Sequence, residues 1–479
     1  PRGGGRTSRI PDVGNPWLDA GIVSFSTLCY RTDPEFWHKW YPAHWISESL
    51  PGQFRNWFYS LLAMATVIDG SPPFLQNFGY ATLLAEDGRP MHKSSGNAIE
   101  FGDAADRMGA DVMRWLYCSQ KPENNLLFGF HRADEARRSF LIPLWNVYNF
   151  FVSYAKLDAW EPPPEGFGPG LPEGPTPQSD NLLDRWIVAL INRLVARSTE
   201  KLENSDPYGV TVLVESFLNG LTNWYVRRSR RRFWKSEQDA DKQSAYSTLY
   251  YVLVRLIKVL APFTPFVTEV MYQNLVRSLR PDAYQSVHHC DWPQADASAA
   301  DEELLRQMAR ARLIASLGLS ARSSASLKVR QPLARAVVHE VHDADDGQSR
   351  ISDELVAIVA DELNVKSVEF VEEEAALVSY HLIADGRLLG PKFGHEFPRV
   401  RAALAALAAA DAARVVKQKR AGLPIPLTVD RETIELAPEE VLVQVRPGEG
   451  LAVAHDKGVT VAVDVVITPE PHAEGLVRD

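Results

Sequence analysis

Cysteine is scarce in this 479-residue chain. Cys29, Cys118 and Cys290 stand far apart and none sits in a CxxC pair. That excludes a disulfide framework and a zinc ribbon, and it fits a reducing cytoplasm. Long apolar runs are missing as well. The best candidate, Tyr250–Val267, is interrupted by Arg255, Lys258 and two prolines, so no membrane partner is expected. There is no excess of positive charge either. A formal net charge of −10 excludes a uniformly basic nucleic-acid wrapper, while leaving room for a local basic face. The opening "PRGGGRTSR" lacks the basic-then-apolar pattern of a secretion signal, and no internal repeat is visible. His288-His289-Cys290 resembles a metal site at a glance. Three consecutive residues cannot readily converge on one ion, and no second cluster supplies further ligands, so no metal is expected.

What is present is ordinary globular material, 45% hydrophobic and 23% charged. The length implies about three domains. In the first hundred residues "GIVSFSTLCY" reads as a strand or extended segment, and "QFRNWFYSLLAMATVI" has apolar residues at helical spacing. "FGYATLLAED" reads as a short strand, and Asp103 as the N-cap of a helix "AADRMGADVMRWLYCSQ". Strand, helix, strand, loop, helix is α/β grammar. After a helix at Ala136–Lys156 comes a Pro/Gly-rich linker, Glu161–Asp180. The next hundred residues read as a helical bundle opened by "NLLDRWIVALINRLV". From about Ala300 a helix at Asp301–Ser316 leads into alternating strands and helices, with "VRAALAALAAADAARVV" as one alanine-rich helix and "DKGVTVAVDV" as a hairpin arm. The expected fold is multidomain, α/β plus all-α. Its parts are residues 1–130 (α/β), 131–180 (connector helix and linker), 181–298 (helical) and 299–479 (α/β).

The stretch "GRPMHKSSGNAI" places one lysine, Lys93, among Met91, His92, Ser94, Ser95, Gly96 and Asn97. Gly, Ser and Asn are loop formers, so a plain surface turn is one reading. The other is functional, because a mobile cation stabilises negative charge that builds only in a transition state. Such donors are worth roughly 2.7–4 kcal/mol in other enzymes.

The order Met-His-Lys-Ser-Ser-Gly-Asn after a short strand resembles the Lys-Met-Ser-Lys-Ser loop of the class I aminoacyl-tRNA synthetase family. It departs from that pattern at Pro90, where the first lysine would stand, and at His92. "HWISESLPGQFRNWFYSLL" resembles the isoleucyl branch's segment beside its amino-acid and adenylate site, and "VGNPWLDAGI" the segment where its chain re-enters the catalytic domain after the inserted editing domain. "NWYVRRSRRRFW" and "LAPFTPFVTEVMY" resemble its anticodon-binding helices, and "LGPKFG" the region beyond. The resemblance implies a partial Rossmann-like catalytic domain, an anticodon-binding bundle and a C-terminal α/β domain. It implies ATP-dependent ligation of isoleucine to its tRNA, with Mg2+ accompanying ATP, by a cytoplasmic monomer. Residues 91–97 would form the ATP loop, with Lys93 catalytic. Glu48, Gly52 and Gln53 would lie near the adenylate, with Trp57 beneath. From the residues alone, Trp57, Phe58, Leu61 and Leu62 equally suit a core, and Glu48 a solvated carboxylate.

The family's second ATP element, of the form His-Ile-Gly-His, does not occur here. Neither does the editing domain expected before Val13, and "AEGLVRD" is expected to continue. The expectation is therefore a C-terminal portion of such a ligase, inactive alone; the alternative is a stand-alone tRNA-binding protein. Arg227, Arg228, Arg231 and Arg232 would share one helix face, ending at Trp234. Either this face is solvated and paired with acidic neighbours, or within an anticodon-binding bundle it grips tRNA, mostly through the backbone.

Overall fold

The computed structural model describes residues 15–162, 171–340, 351–374 and 377–466. Parts of three motifs lie outside them: Val13 and Gly14 of the first family segment, positions 163–170 of the Pro/Gly-rich stretch, and the terminal "HAEGLVRD". The chain divides into two compact units, Pro1–Ala300 and Asp301–Asp479.

The first unit begins with helical turns, not a strand. Val23–Ser26 is helical, and Phe25 packs with Trp37 and Tyr41 in a small aromatic core. Aromatic stacking there outweighs the β-leaning sequence of "GIVSFSTLCY". Strand β1 (Ala43–Ser49) runs parallel to β2 (Phe74–Tyr80) in register Ala43↔Phe74 to Ser49↔Tyr80. The crossover between them is α1 (Trp57–Ile68), as parallel pairing demands. Helix α1 buries Phe58, Leu61 and Ala65, whereas Leu62 is exposed and Trp57 half-buried, so only part of the apolar stretch is core. Strand β3 (Leu83–Ala85) follows and pairs in parallel with the later β4 (Leu126–Phe128).

Between β3 and β4 lie the Lys93 loop, α2 (Phe101–Met108) and α3 (Ala110–Cys118). The single helix expected here is broken at Gly109, whose φ of +87° no L side chain adopts readily. Asp103 does not cap α2. It stands in the first turn, and its carboxylate pairs with Arg107 at 3.2 Å.

Helix α4 (Ile142–Leu157) then leads to the bundle: α5 (Leu182–Glu203), α6 (Pro207–Gly220), α7 (Arg227–Trp234), α8 (Ala240–Leu260) and α9 (Pro265–Tyr272). Leu221–Val226 is a π-helical turn joining α6 to α7. From Ala245 to Leu260, α8 is buried on almost every face, which marks it as the central helix.

The described end of the Pro/Gly-rich stretch is a packed strap. Glu173 is 2% exposed. Its carboxylate receives Arg255 at 3.3 Å and Lys258 at 3.2 Å, while Tyr250 Oη donates to the Pro172 carbonyl at 3.1 Å. Proline and glycine set the course of the chain here, and the buried ion cluster holds it.

Helix α3 also grips the bundle. The Asp111 carboxylate accepts from the backbone N–H groups of Phe266 (3.2 Å) and Val267 (2.7 Å) at the start of α9. Arg114 donates to the carbonyls of Phe263 (3.0 Å) and Pro262 (2.7 Å). An acid from one element thus caps the N-terminus of another, satisfying donors that a proline-started helix leaves open.

The second unit opens with α10 (Glu302–Ser324), capped by Asp301 and two turns longer than its sequence pattern suggests. It packs on a four-stranded sheet ordered β11–β12–β5–β6, built from β5 (Leu333–Glu340), β6 (Val365–Val371), β11 (Leu451–Asp456) and β12 (Val459–Asp464). The β11–β12 turn is Lys457-Gly458, both with positive φ (+48° and +76°), as a two-residue hairpin requires. A second core gathers around β7 (Val378–Ala384), the hairpin β8 (Ile425–Val429) and β9 (Glu432–Leu436), and β10 (Val441–Pro447). Two helices, Phe397–Ala405 and Ala409–Arg420, cover it in place of the single alanine-rich helix. Between the two cores Glu374 accepts from Tyr380 (2.6 Å), Arg420 (2.7 Å) and Thr460 (2.7 Å). Burial alone would raise its carboxyl pKa, but these donors together lower it to about 2.

Candidate active site and basic helix face

The end of β1 and the loop after β3 carry the residues of interest. Glu48 lies on β1 opposite Gly79. Its Oε1 accepts from the Ser49 N–H at 2.8 Å and from the Tyr80 hydroxyl at 3.0 Å, tying the two strand ends together. Burial, and next the bond to Glu48, push the Tyr80 phenol above its ordinary pKa, so Tyr80 stays a donor. Leu50–Gln53 then makes one helical turn over the end of β2. That approach needs Gly79, where an added Cβ would meet the Leu50 Cβ at 3.0 Å. The Gly52 carbonyl accepts from the Asn56 amide at 2.8 Å. Gln53 Oε1 accepts from the Trp57 N–H at 3.3 Å, which makes Gln53 a partner for the first turn of α1. Glu48, Gly52, Gln53 and Trp57 thus form one local group at the carboxyl end of a parallel pair, where ligands of α/β sheets bind. Tyr80 also borders a largely apolar cavity of about 390 Å³ with Phe78, Tyr117 and Leu126.

The Lys93 loop is organised by its neighbours. Lys93–Ser95 is one turn of 3-10 helix, ended by Gly96 at φ +70°. Asn97 closes the loop with both ends of its amide. Its Oδ1 accepts from the His92 N–H at 2.9 Å, and its Nδ2 donates to the Pro90 carbonyl at 3.0 Å. The Lys93 ammonium lies 3.1 Å from the Glu100 carboxylate. The two side chains are 84% and 70% exposed, so the pair is worth about 0–1 kcal/mol and is easily given up. Met91 is half-buried, while His92 and Ser94 are exposed. Glu100 carries no family signature, yet its position seven residues after Lys93, at the mouth of α2, makes it the local counter-ion.

The arginine helix differs from its sequence reading. Arg232 is not presented outward. Its side chain is 11% exposed, and its two terminal nitrogens lie 2.7 Å from the two oxygens of the buried Asp184. A second contact reaches Asp241 at 2.8 Å, and Tyr225 also donates to Asp184 at 2.8 Å. Burial works against this guanidinium, but Asp184 more than offsets it and its pKa is raised. Arg232 is a structural ion-pair residue and leaves the candidate nucleic-acid set. Arg228 is half-buried. The exposed face is instead Arg227, Arg230, Arg231 and Trp234, spaced i, i+3, i+4, i+7. Arg230 was legible in that spacing, and the buried Ser229 and Phe233 show which side faces inward.

Two family models match the chain: tRNA synthetases class I (I, L, M and V) over residues 2–127, and the anticodon-binding domain of tRNA ligase over residues 184–338. The chain belongs to the class I tRNA synthetase family. Both candidate regions, the Lys93 loop and the arginine helix, fall inside the matched residues. Among relatives, the isoleucine–tRNA ligase of Thermus thermophilus is 38% identical over 99% of this chain and 44% of that protein. That of Clostridium novyi is 36% identical over 100% of this chain and 44% of its own length. That of Dehalococcoides mccartyi is 42% identical over 78% and 36%. The chain thus spans less than half the length of these relatives. Synthetases of this class use ATP. Among the described residues no group of three or more His, Cys, Asp or Glu side chains could hold a metal ion. No described helix is long and apolar enough to cross a membrane.

Proposed function

We propose that this chain takes part in the ATP-dependent ligation of isoleucine to its tRNA. In the first step the isoleucine carboxylate attacks the α-phosphate, the α–β anhydride bond breaks, and pyrophosphate leaves with its electron pair. In the second, a ribose hydroxyl of the terminal adenosine attacks the acyl carbon and AMP leaves. The observation that carries this reading is the state of Lys93, a solvated ammonium on a short closed loop, opposite a carboxylate it can readily abandon. On this reading it moves to the departing phosphates, where its charge counts most in the transition state. Glu48, Gly52, Gln53 and Trp57 contribute to the amino-acid and adenylate site. Arg227, Arg230, Arg231 and Trp234 grip the tRNA backbone and stack on a base. The protein works as a monomer in the cytoplasm.

The test is isoleucine-dependent ATP–pyrophosphate exchange by the native protein containing these residues. Lys93→Ala is expected to slow exchange by about 10²–10³-fold and to leave tRNA affinity unchanged. Equal loss in both would remove Lys93 from the chemistry. Binding of tRNA with no exchange at all in the unaltered protein would favour a tRNA-binding protein without ligase activity.

A further inference from the structure

We infer that Asn97 is the positioning residue for Lys93, acting as a latch and not as a nucleotide ligand. The inference rests on the leaving-group reading of Lys93 and refines it. Both functional ends of the Asn97 amide are committed to the backbone of its own loop, one to the His92 N–H and one to the Pro90 carbonyl. Pro90 and His92 flank Met91, and the pair of bonds reproduces the two-way exchange of an antiparallel bridge, beside the bridge that Pro90 makes to Leu84 of β3. The turn inside the latch is equally set. Gly96 has φ +70° and its N–H returns to the Lys93 carbonyl at 3.2 Å. An Asn side chain can do this because it carries a donor and an acceptor on one planar group. Aspartate keeps only the acceptor, and alanine keeps neither.

The consequence concerns where the ammonium sits. Lys93 has four rotatable bonds and its side chain is 84% exposed, so packing does not aim it. Its aim comes from the backbone of residues 90–97, which the latch holds, and from Glu100 at the resting position. Without the latch the loop keeps its charge and loses its register. A displacement of about 1 Å at a reacting group can cost about a hundredfold in rate. The expected signature is a loss confined to the chemical step.

Two measurements test this. The first needs no substrate: amide hydrogen exchange of residues 88–100 in the 479-residue chain. Asn97→Ala should speed exchange of the His92 amide about fivefold or more, the worth of one lost hydrogen bond. Asn97→Asp, which still accepts from that N–H, should stay close to the unaltered chain. The second is isoleucine-dependent pyrophosphate exchange in the native protein. Asn97→Ala should lower kcat by about tenfold to a hundredfold with KM for isoleucine and tRNA affinity unchanged, and Asn97→Asp should recover part of the loss. Unchanged His92 exchange, or an unchanged kcat in Asn97→Ala while Lys93→Ala is impaired, overturns the latch alone. An unchanged kcat in Lys93→Ala overturns the leaving-group reading and the inference with it.

Discussion

Lys93 and Lys258 are the same side chain in opposite states. The Lys93 side chain is 84% exposed beside an exposed Glu100, whereas that of Lys258 is 4% exposed and fixed, together with Arg255, on a Glu173 that is itself buried. On the proposed role of Lys93, the contrast separates charge kept for use from charge kept for structure. A buried cation needs a permanent partner, because the cost of an unpaired charge in the interior is several kcal/mol. A cation meant to meet a transient anion cannot have such a partner. It has to stay solvated, with a counter-ion weak enough to leave. Arg232 and Arg230 repeat the contrast within one helix turn: the first is locked to Asp184, the second faces solvent.

The severest challenge to this contrast is to remove Glu173. Glu173→Ala leaves Arg255 and Lys258 buried without their shared carboxylate, and should cost about 3–5 kcal/mol in urea unfolding of the chain. By the same measurement Lys93→Ala should fall within about 0.5 kcal/mol of the unaltered chain. Equal effects would dissolve the distinction.

A second approach uses pH on the half-buried carboxylate between the two cores of the second unit. Glu374 is held at about 2, below the ordinary value of 4.5. Its folded pKa is depressed, so its contribution is fully present above about pH 4.5 and is lost as pH falls toward 2. The size is roughly 3 kcal/mol at most. Thermal melts of the chain between pH 6 and pH 3 should therefore depend less on pH in Glu374→Gln than in the unaltered protein. An identical slope would show that the three donors around Glu374 do not stabilise its charged form.

The smallest stability effect is expected on the outer arginine face. Arg230→Ala with Arg231→Ala should change unfolding free energy by no more than about 0.5 kcal/mol. It should also weaken tRNA binding and shallow its salt dependence by about 0.7–0.9 in log–log slope for each phosphate left unneutralised. Arg232→Ala should do the reverse, lowering stability first. If Arg230 and Arg231 prove as costly to stability as Arg232, the face is structural.

Much of the architecture was legible because it rests on periodicity. The helix at Trp57–Ile68 follows the spacing of its apolar residues. The turn at Lys457-Gly458 was marked by Gly458, which takes a positive φ without strain. Errors gathered where local pattern met a long-range partner. "GIVSFSTLCY" folds as helical turns around Trp37 and Tyr41. The alanine-rich stretch divides at Ala406–Ala408, though every residue there favours helix, and both of the resulting helices pack on the second core.

The candidate site divides along the same line. That a lone lysine stands on a Gly/Ser/Asn loop after a strand, and that arginines crowd one helix, could be read directly from the chain, since residue type and spacing are its own properties. Which of those charges are available to a ligand was settled by folding. Asp184 lies 48 residues from Arg232, and Glu173 lies 82 and 85 residues from Arg255 and Lys258. No local rule pairs residues at such separations. The fold brings them together because a charge it buries must meet its opposite, and the charges it leaves in water are the ones a ligand can reach.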